Sequence, residues 1–125
     1  MNYSFRFLVA EASFPARIII RNQLMQLGQH VDIVPSIEDT LMQITSKSYD
    51  MLLIDSYLYY SQGDYDWTAL IKKHHPFTTA PVIALICEHP PIKNEMGSPH
   101  LCSFRKPFSE EKAIIIIHYL ESTLS

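Results

Sequence analysis

Two short runs, Met51-Leu52-Leu53-Ile54 and Val82-Ile83-Ala84-Leu85-Ile86, are apolar at every position. A half-exposed strand alternates apolar with polar residues, and a surface helix repeats every third or fourth residue. An unbroken apolar run this short therefore describes a strand buried on both faces. Such strands belong to parallel sheets, which need helical crossovers to cover them.

The rest of the chain supplies those crossovers. Phe5 to Ala10 is expected as a first strand. Ser13 can cap a helix with Pro15 in its first turn, Gly28 stops it, and Ile20, Leu24 and Leu27 form its inward stripe. Val31 to Val34 reads as a second strand, and Ser36 with Asp39 opens a helix that turns Leu41 and Ile44 inward. After Met51–Ile54, a loop through Gly63 leads to a helix ending near His74-His75-Pro76. Pro81 to Ile86 is the fourth strand, Ser103 to Lys106 ends a fifth, and Ser109 caps a helix running to about Ser122. Strands separated by helices of this length predict right-handed βαβ units in a doubly wound parallel α/β sheet.

Length and charge narrow the class. A chain of 125 residues is expected to form a single domain, here 1–125, and 47% apolar with 18% charged residues is a globular composition. A net charge of −3, with no basic stripe, gives no basis for nucleic-acid binding. No apolar run reaches the roughly 20 residues that cross a bilayer, and the N-terminus has no signal-peptide core. Cys87 and Cys102 make no disulfide framework, so the expected setting is the reducing cytoplasm.

Three of the strands end in charge: Glu11, Asp55 and Lys106. In an open α/β sheet, ligands bind outside the carboxyl ends of the strands, where all three fall. A carboxylate at the tip of an apolar strand is costly unless a cation or metal meets it.

The segments Phe7-Leu8-Val9-Ala10-Glu11, Tyr49-Asp50-Met51-Leu52-Leu53-Ile54-Asp55, Pro81-Val82-Ile83-Ala84-Leu85 and Arg105-Lys106-Pro107-Phe108 resemble the receiver domains of bacterial response regulators. Gln23-Leu24-Met25-Gln26-Leu27-Gly28 is similar to the first-helix ending of receivers in hybrid histidine kinases. The resemblance spans nearly the whole chain, in order. It implies a flavodoxin-like (βα)5 sheet in strand order 2-1-3-4-5, and a signalling module rather than an enzyme. It also implies that Asp55 accepts a phosphoryl group from a histidine kinase or phosphotransfer protein, with Lys106 as the site's cation.

The same resemblance exposes two gaps. The family holds Mg²⁺ with two acids after the first strand, and here the pair is Glu11 and Ala12. A methyl group cannot ligate Mg²⁺, which leaves Glu11, Asp55 and the Tyr57 backbone carbonyl for a weakly held or absent ion. The family's Ser or Thr after the fourth strand, which contacts the phosphoryl oxygens, is Ile86. Phosphorylation is therefore expected to be impaired. The alternative is a pseudoreceiver, an interaction or dimerisation module that keeps the fold without using phosphate. Tyr59 replaces the usual loop proline, Gly63 matches the loop glycine, and Ser103 replaces the aromatic switch residue. Pro90, Pro91 and Pro99 predict a shortened or irregular fourth helix.

The remaining residues read plainly. His74 and His75 mark a solvated helix end, His118 lies in an amphipathic helix, and nothing activates either thiol. On the last helix Ala113, Ile116, Ile117, Leu120 and Leu124 share the core face. That leaves Ile114, Ile115 and Tyr119 outward, a candidate homodimer surface.

Overall fold

The computed structural model describes residues 3–61, 67–74, 81–88, 102–106 and 108–124. Its strands are β1 (Arg6–Ala10), β2 (His30–Val34), β3 (Met51–Asp55), β4 (Val82–Cys87) and β5 (Cys102–Arg105). All pair in parallel, in the order β2-β1-β3-β4-β5. The described helices are α1 (Phe14–Met25), α2 (Ile37–Ser46), α3 (Ser56–Tyr60), α4 (Trp67–His74) and α5 (Glu110–Leu124). The expected strand order and doubly wound arrangement are present.

Side-chain alternation divides the core into two layers. Phe7 and Val9 of β1 and Met51 and Leu53 of β3 pack with Ile20 and Leu24 of α1 and with Ala113, Ile116, Ile117 and Leu120 of α5. Leu8, Ala10, Leu52 and Ile54 point the other way, against Ile37 and Ile44 of α2, Tyr59 of α3 and Ile71 of α4. Every residue of β3 is buried, as expected of a central strand covered on both faces.

The helix boundaries follow local chemistry. The Ser13 hydroxyl accepts from the Ala16 N–H at 3.4 Å, and Pro15 stands in the first turn, where its missing N–H costs nothing. Gly28, at φ 82°, takes the left-handed conformation that lets the chain leave α1 for β2. Ser36 accepts from the Asp39 N–H and donates to the Asp39 carboxylate, both at 3.1 Å, closing the start of α2.

Several expectations shift. The loop expected directly after β3 contains the short helix α3, which begins immediately after Asp55 because that side chain caps it. β4 continues to Cys87, and β5 stops at Arg105, so Lys106 lies one residue past the strand end. Ile115 is exposed on α5, but Ile114 is half-buried. Tyr119 turns onto Phe104, ring edge to ring face at 6.2 Å, so the outward patch is smaller than the helical pattern suggests. Gly63, the His75-Pro76 helix end, Pro107 and the fourth-helix region with Pro90, Pro91 and Pro99 lie outside the described residues, as do the side chains of His74, Cys102 and Leu124. Among the described residues no helix is long and apolar enough to cross a membrane.

Candidate functional site

Glu11, Asp55 and Lys106 come from three strand ends and meet at one point. Glu11 follows β1, held by its N–H donating to the Val34 carbonyl at 3.1 Å. Asp55 is the last residue of β3, and Lys106 is held beside β4 by its N–H donating to the Cys87 carbonyl at 2.8 Å. The Lys106 Nζ donates to Asp55 Oδ1 at 2.7 Å and to Glu11 Oε2 at 3.3 Å. Glu11 and Asp55 are only 4% and 6% exposed, so neither carboxylate has bulk water as its main partner. One ammonium therefore bridges two buried like charges, which stabilises an arrangement that would otherwise be repulsive. Burial opposes the lysine's charge, yet the Asp55 hydrogen bond and the two nearby carboxylates outweigh it, so the Lys106 pKa is raised above its ordinary value.

The other carboxylate oxygens are held by backbone. Asp55 Oδ2 accepts from the N–H groups of Tyr57 at 3.1 Å and Leu58 at 3.3 Å, two donors left unpaired by the start of α3. Glu11 Oε1 accepts from the Ser13 N–H at 3.1 Å. The acids are thus locked in orientation as well as charge-paired.

Three neighbours are less legible from sequence. Arg17 Nη1 reaches back one turn to donate to the carbonyls of Glu11 at 2.7 Å and Ala12 at 3.1 Å, and its guanidinium lies 5.4 Å from the Phe14 ring centre. Its signal is position, a long basic side chain one turn beyond a capped helix start. Cys87, read from sequence as an inert thiol, faces Ser56 and lines the same cleft. Burial pushes its thiol pKa up, reinforced by the Asp55 charge and only partly offset by Ser56 and Lys106, so the thiol stays protonated. Burial likewise raises the Tyr60 phenol, with Tyr59 and Cys87 adding to the shift.

The cleft over these groups has a volume of about 810 Å³ and includes Glu11, Asp55, Tyr57, Glu88 and Lys106. The three sequence-predicted site residues are therefore brought together, and Tyr57 borders them with its side chain exposed. Ile86 pairs with Asp55 across β3 and β4 and is buried, so hydrocarbon stands beside the carboxylate on that side. Ala12 is exposed on the turn after Glu11. Among the described residues, no three His, Cys, Asp or Glu side chains converge as a metal-holding group.

A response regulator receiver domain (CheY-like) from Methylobacillus flagellatus superimposes with a TM-score of 0.74, at 22% identity, covering 94% of this chain and 99% of its own. The fold is a receiver fold. A response regulator receiver domain protein from Bacillus halodurans agrees at TM-score 0.71, 21% identity, and 94% and 97% coverage of the two chains. A response regulator from Thermotoga maritima gives TM-score 0.76 at 14% identity, covering 96% of this chain and 99% of that one. No protein-family model and no curated protein matches the sequence. The receiver fold places Asp55 at the carboxyl end of its central strand, where open sheets of this kind build their sites.

Proposed function

We propose that this chain is a cytoplasmic receiver module of a two-component phosphorelay, with Asp55 as phosphoacceptor and a phosphohistidine of a histidine kinase or phosphotransfer protein as donor. The observation that carries this reading is the buried Asp55 carboxylate held 2.7 Å from the Lys106 ammonium at the mouth of an open cleft. Oδ2 is committed to the α3 backbone, so Oδ1 is the attacking oxygen. Its bond to phosphorus forms as the phosphorus–nitrogen bond breaks, and the leaving imidazole nitrogen keeps the electron pair. Lys106 balances the charge that accumulates on the phosphoryl oxygens.

The supporting chemistry is incomplete. A dedicated Mg²⁺ site needs near-octahedral oxygen ligands, and both candidate carboxylates already share Lys106. With Ala12 supplying no donor, the residues present do not fit a tightly held Mg²⁺. Ile86 removes a hydroxyl donor from the phosphoryl oxygens. If each lost contact costs on the order of 10²-fold, the two together cost roughly 10⁴-fold if additive.

That shortfall favours a second reading, a pseudoreceiver that uses the fold as an interaction module, with the exposed Ile115 of α5 at the centre of a small homodimer surface. Mass spectrometry after treatment with acetyl phosphate and millimolar Mg²⁺ separates the two. The native chain is expected to be modified slowly on Asp55, and Ala12→Asp with Ile86→Thr to accelerate modification and strengthen Mg²⁺ binding together. A repaired variant that stays unmodified would refute the phosphoacceptor reading. Rapid stoichiometric modification of the native chain would refute the impairment.

A further inference from the structure

Ser56 follows Asp55 directly as the first residue of α3, and it lines the charged cleft together with Asp55, Cys87 and Lys106. Serines at other helix starts spend their hydroxyls on backbone: Ser13, Ser36 and Ser109 each accept an N–H of the first turn. At α3 that duty falls to Asp55, whose Oδ2 holds the N–H groups of Tyr57 and Leu58. The Ser56 hydroxyl is thereby released from capping, and it hydrogen-bonds to the Cys87 thiol instead. A thiol is a weak donor and a weak acceptor, so the hydroxyl can be redirected at little cost.

We propose that Ser56 is a catalytic residue of the Asp55 reaction, its hydroxyl donating to an oxygen of the incoming phosphoryl group. The inference rests on Asp55 being the phosphoacceptor and adds a donor that this chemistry needs. In the transition state the charge spreads over the equatorial phosphoryl oxygens, and fixed donors aimed at those oxygens lower the barrier. Lys106 divides its ammonium between Asp55 and Glu11, so it does not serve all of that charge alone. Ile86, which pairs with Asp55 across the sheet, turns into the core layer beneath α1 and α5 and supplies no donor. Tyr60 also lines the cleft, but it stands one turn further along α3. Ser56 is the hydroxyl next to the acceptor. As a phosphoryl oxygen arrives, the Ser56 O–H turns from sulfur to that oxygen, and the Cys87 S–H can then donate to the Ser56 Oγ. The proton stays on Oγ throughout, and the bonds made and broken remain those at phosphorus.

Comparing Ser56→Thr with Ser56→Val tests this, since both side chains branch at Cβ and differ chiefly by the hydroxyl. The measurement is the rate of Asp55 modification by acetyl phosphate with millimolar Mg²⁺, followed by mass spectrometry. Each substitution is made in the native chain and again in Ala12→Asp, so that a slow native reaction still leaves a rate to compare. Ser56→Val should slow modification about tenfold, below the usual cost of one lost transition-state donor because the cleft is open to water, while Ser56→Thr stays within about twofold of its parent. Circular dichroism of both variants should match the parent. Equal rates for Ser56→Thr and Ser56→Val, with Asp55 still modified, would overturn the role of Ser56 and leave the phosphoacceptor reading standing. No modification of the native chain, of Ala12→Asp or of Ala12→Asp with Ile86→Thr would refute that reading, and the role of Ser56 with it.

Discussion

The two ends of the sheet handle buried polar groups in opposite ways. At the amino end, Gln29 is 4% exposed and meets only backbone: its Nε2 donates to the carbonyls of Tyr3 and Leu27, and its Oε1 accepts from the Phe5 N–H at 2.7 Å. Asp50 accepts from the Arg6 N–H at 2.8 Å, and the Tyr49 hydroxyl donates to Asp32 at 2.6 Å. At the carboxyl end, two buried acids are bridged by one lysine across three strands. The first arrangement buries only neutral side chains, keeps its acids Asp50 and Asp32 exposed or half-exposed, and ties adjoining segments together. The second concentrates charge that a simple packing role does not require, and this asymmetry separates scaffold from site.

The contrast can be broken at either end. The largest expected loss of stability comes from Gln29→Ala, which strips three backbone groups of their partner at once. Chemical denaturation should show a cost of about 3 kcal/mol, with Asp55 chemistry unaltered. Lys106→Met should cost less, about 2 kcal/mol, because the site is partly open to water and the two acids can regain hydration. Adding Asp55→Asn to it should recover much of that loss by removing one of two facing charges. If the double variant is no more stable than the single, repulsion between the acids is not what Lys106 relieves.

The smallest effect sharpens the comparison through pH. The Lys106 pKa is raised above its ordinary 10.5, and that of Tyr49 is raised well above 10.0, chiefly by burial and then by Asp32. In both, the folded state holds its proton more tightly than the unfolded state. Their stabilisation is complete below the ordinary values and is lost as pH rises through the folded ones. Unfolding free energy should therefore decline from about pH 10 upward. Tyr49→Phe should flatten part of that slope, and Lys106→Met another part. A slope unchanged in both variants would place the alkaline sensitivity elsewhere.

Much of this architecture is legible in the sequence because the signals are local. The unbroken apolar runs at Met51 and Val82 mark doubly covered strands, and Ser13, Gly28, Ser36 and Ser109 fix helix ends through caps and one backbone conformation. Glu11, Asp55 and Lys106 are legible as a group because topology alone gathers strand ends. What the sequence does not reveal depends on side-chain direction. Nothing local shows Tyr119 turning onto Phe104 or Asp55 spending one oxygen on α3, and the position of Arg17 after a capped helix start does not say that it folds back over the turn.

The bonds from Asp55 Oδ2 to the backbone of α3 mean that this carboxylate is also a mechanical peg. Whatever meets its other oxygen, as Lys106 does here, changes the charge available to hold the first turn of that helix. A cap of this kind contributes about 1 kcal/mol, enough to alter severalfold how often a five-residue helix opens. The chemical state of one buried atom thereby bears on the stiffness of the surface around the exposed Tyr57.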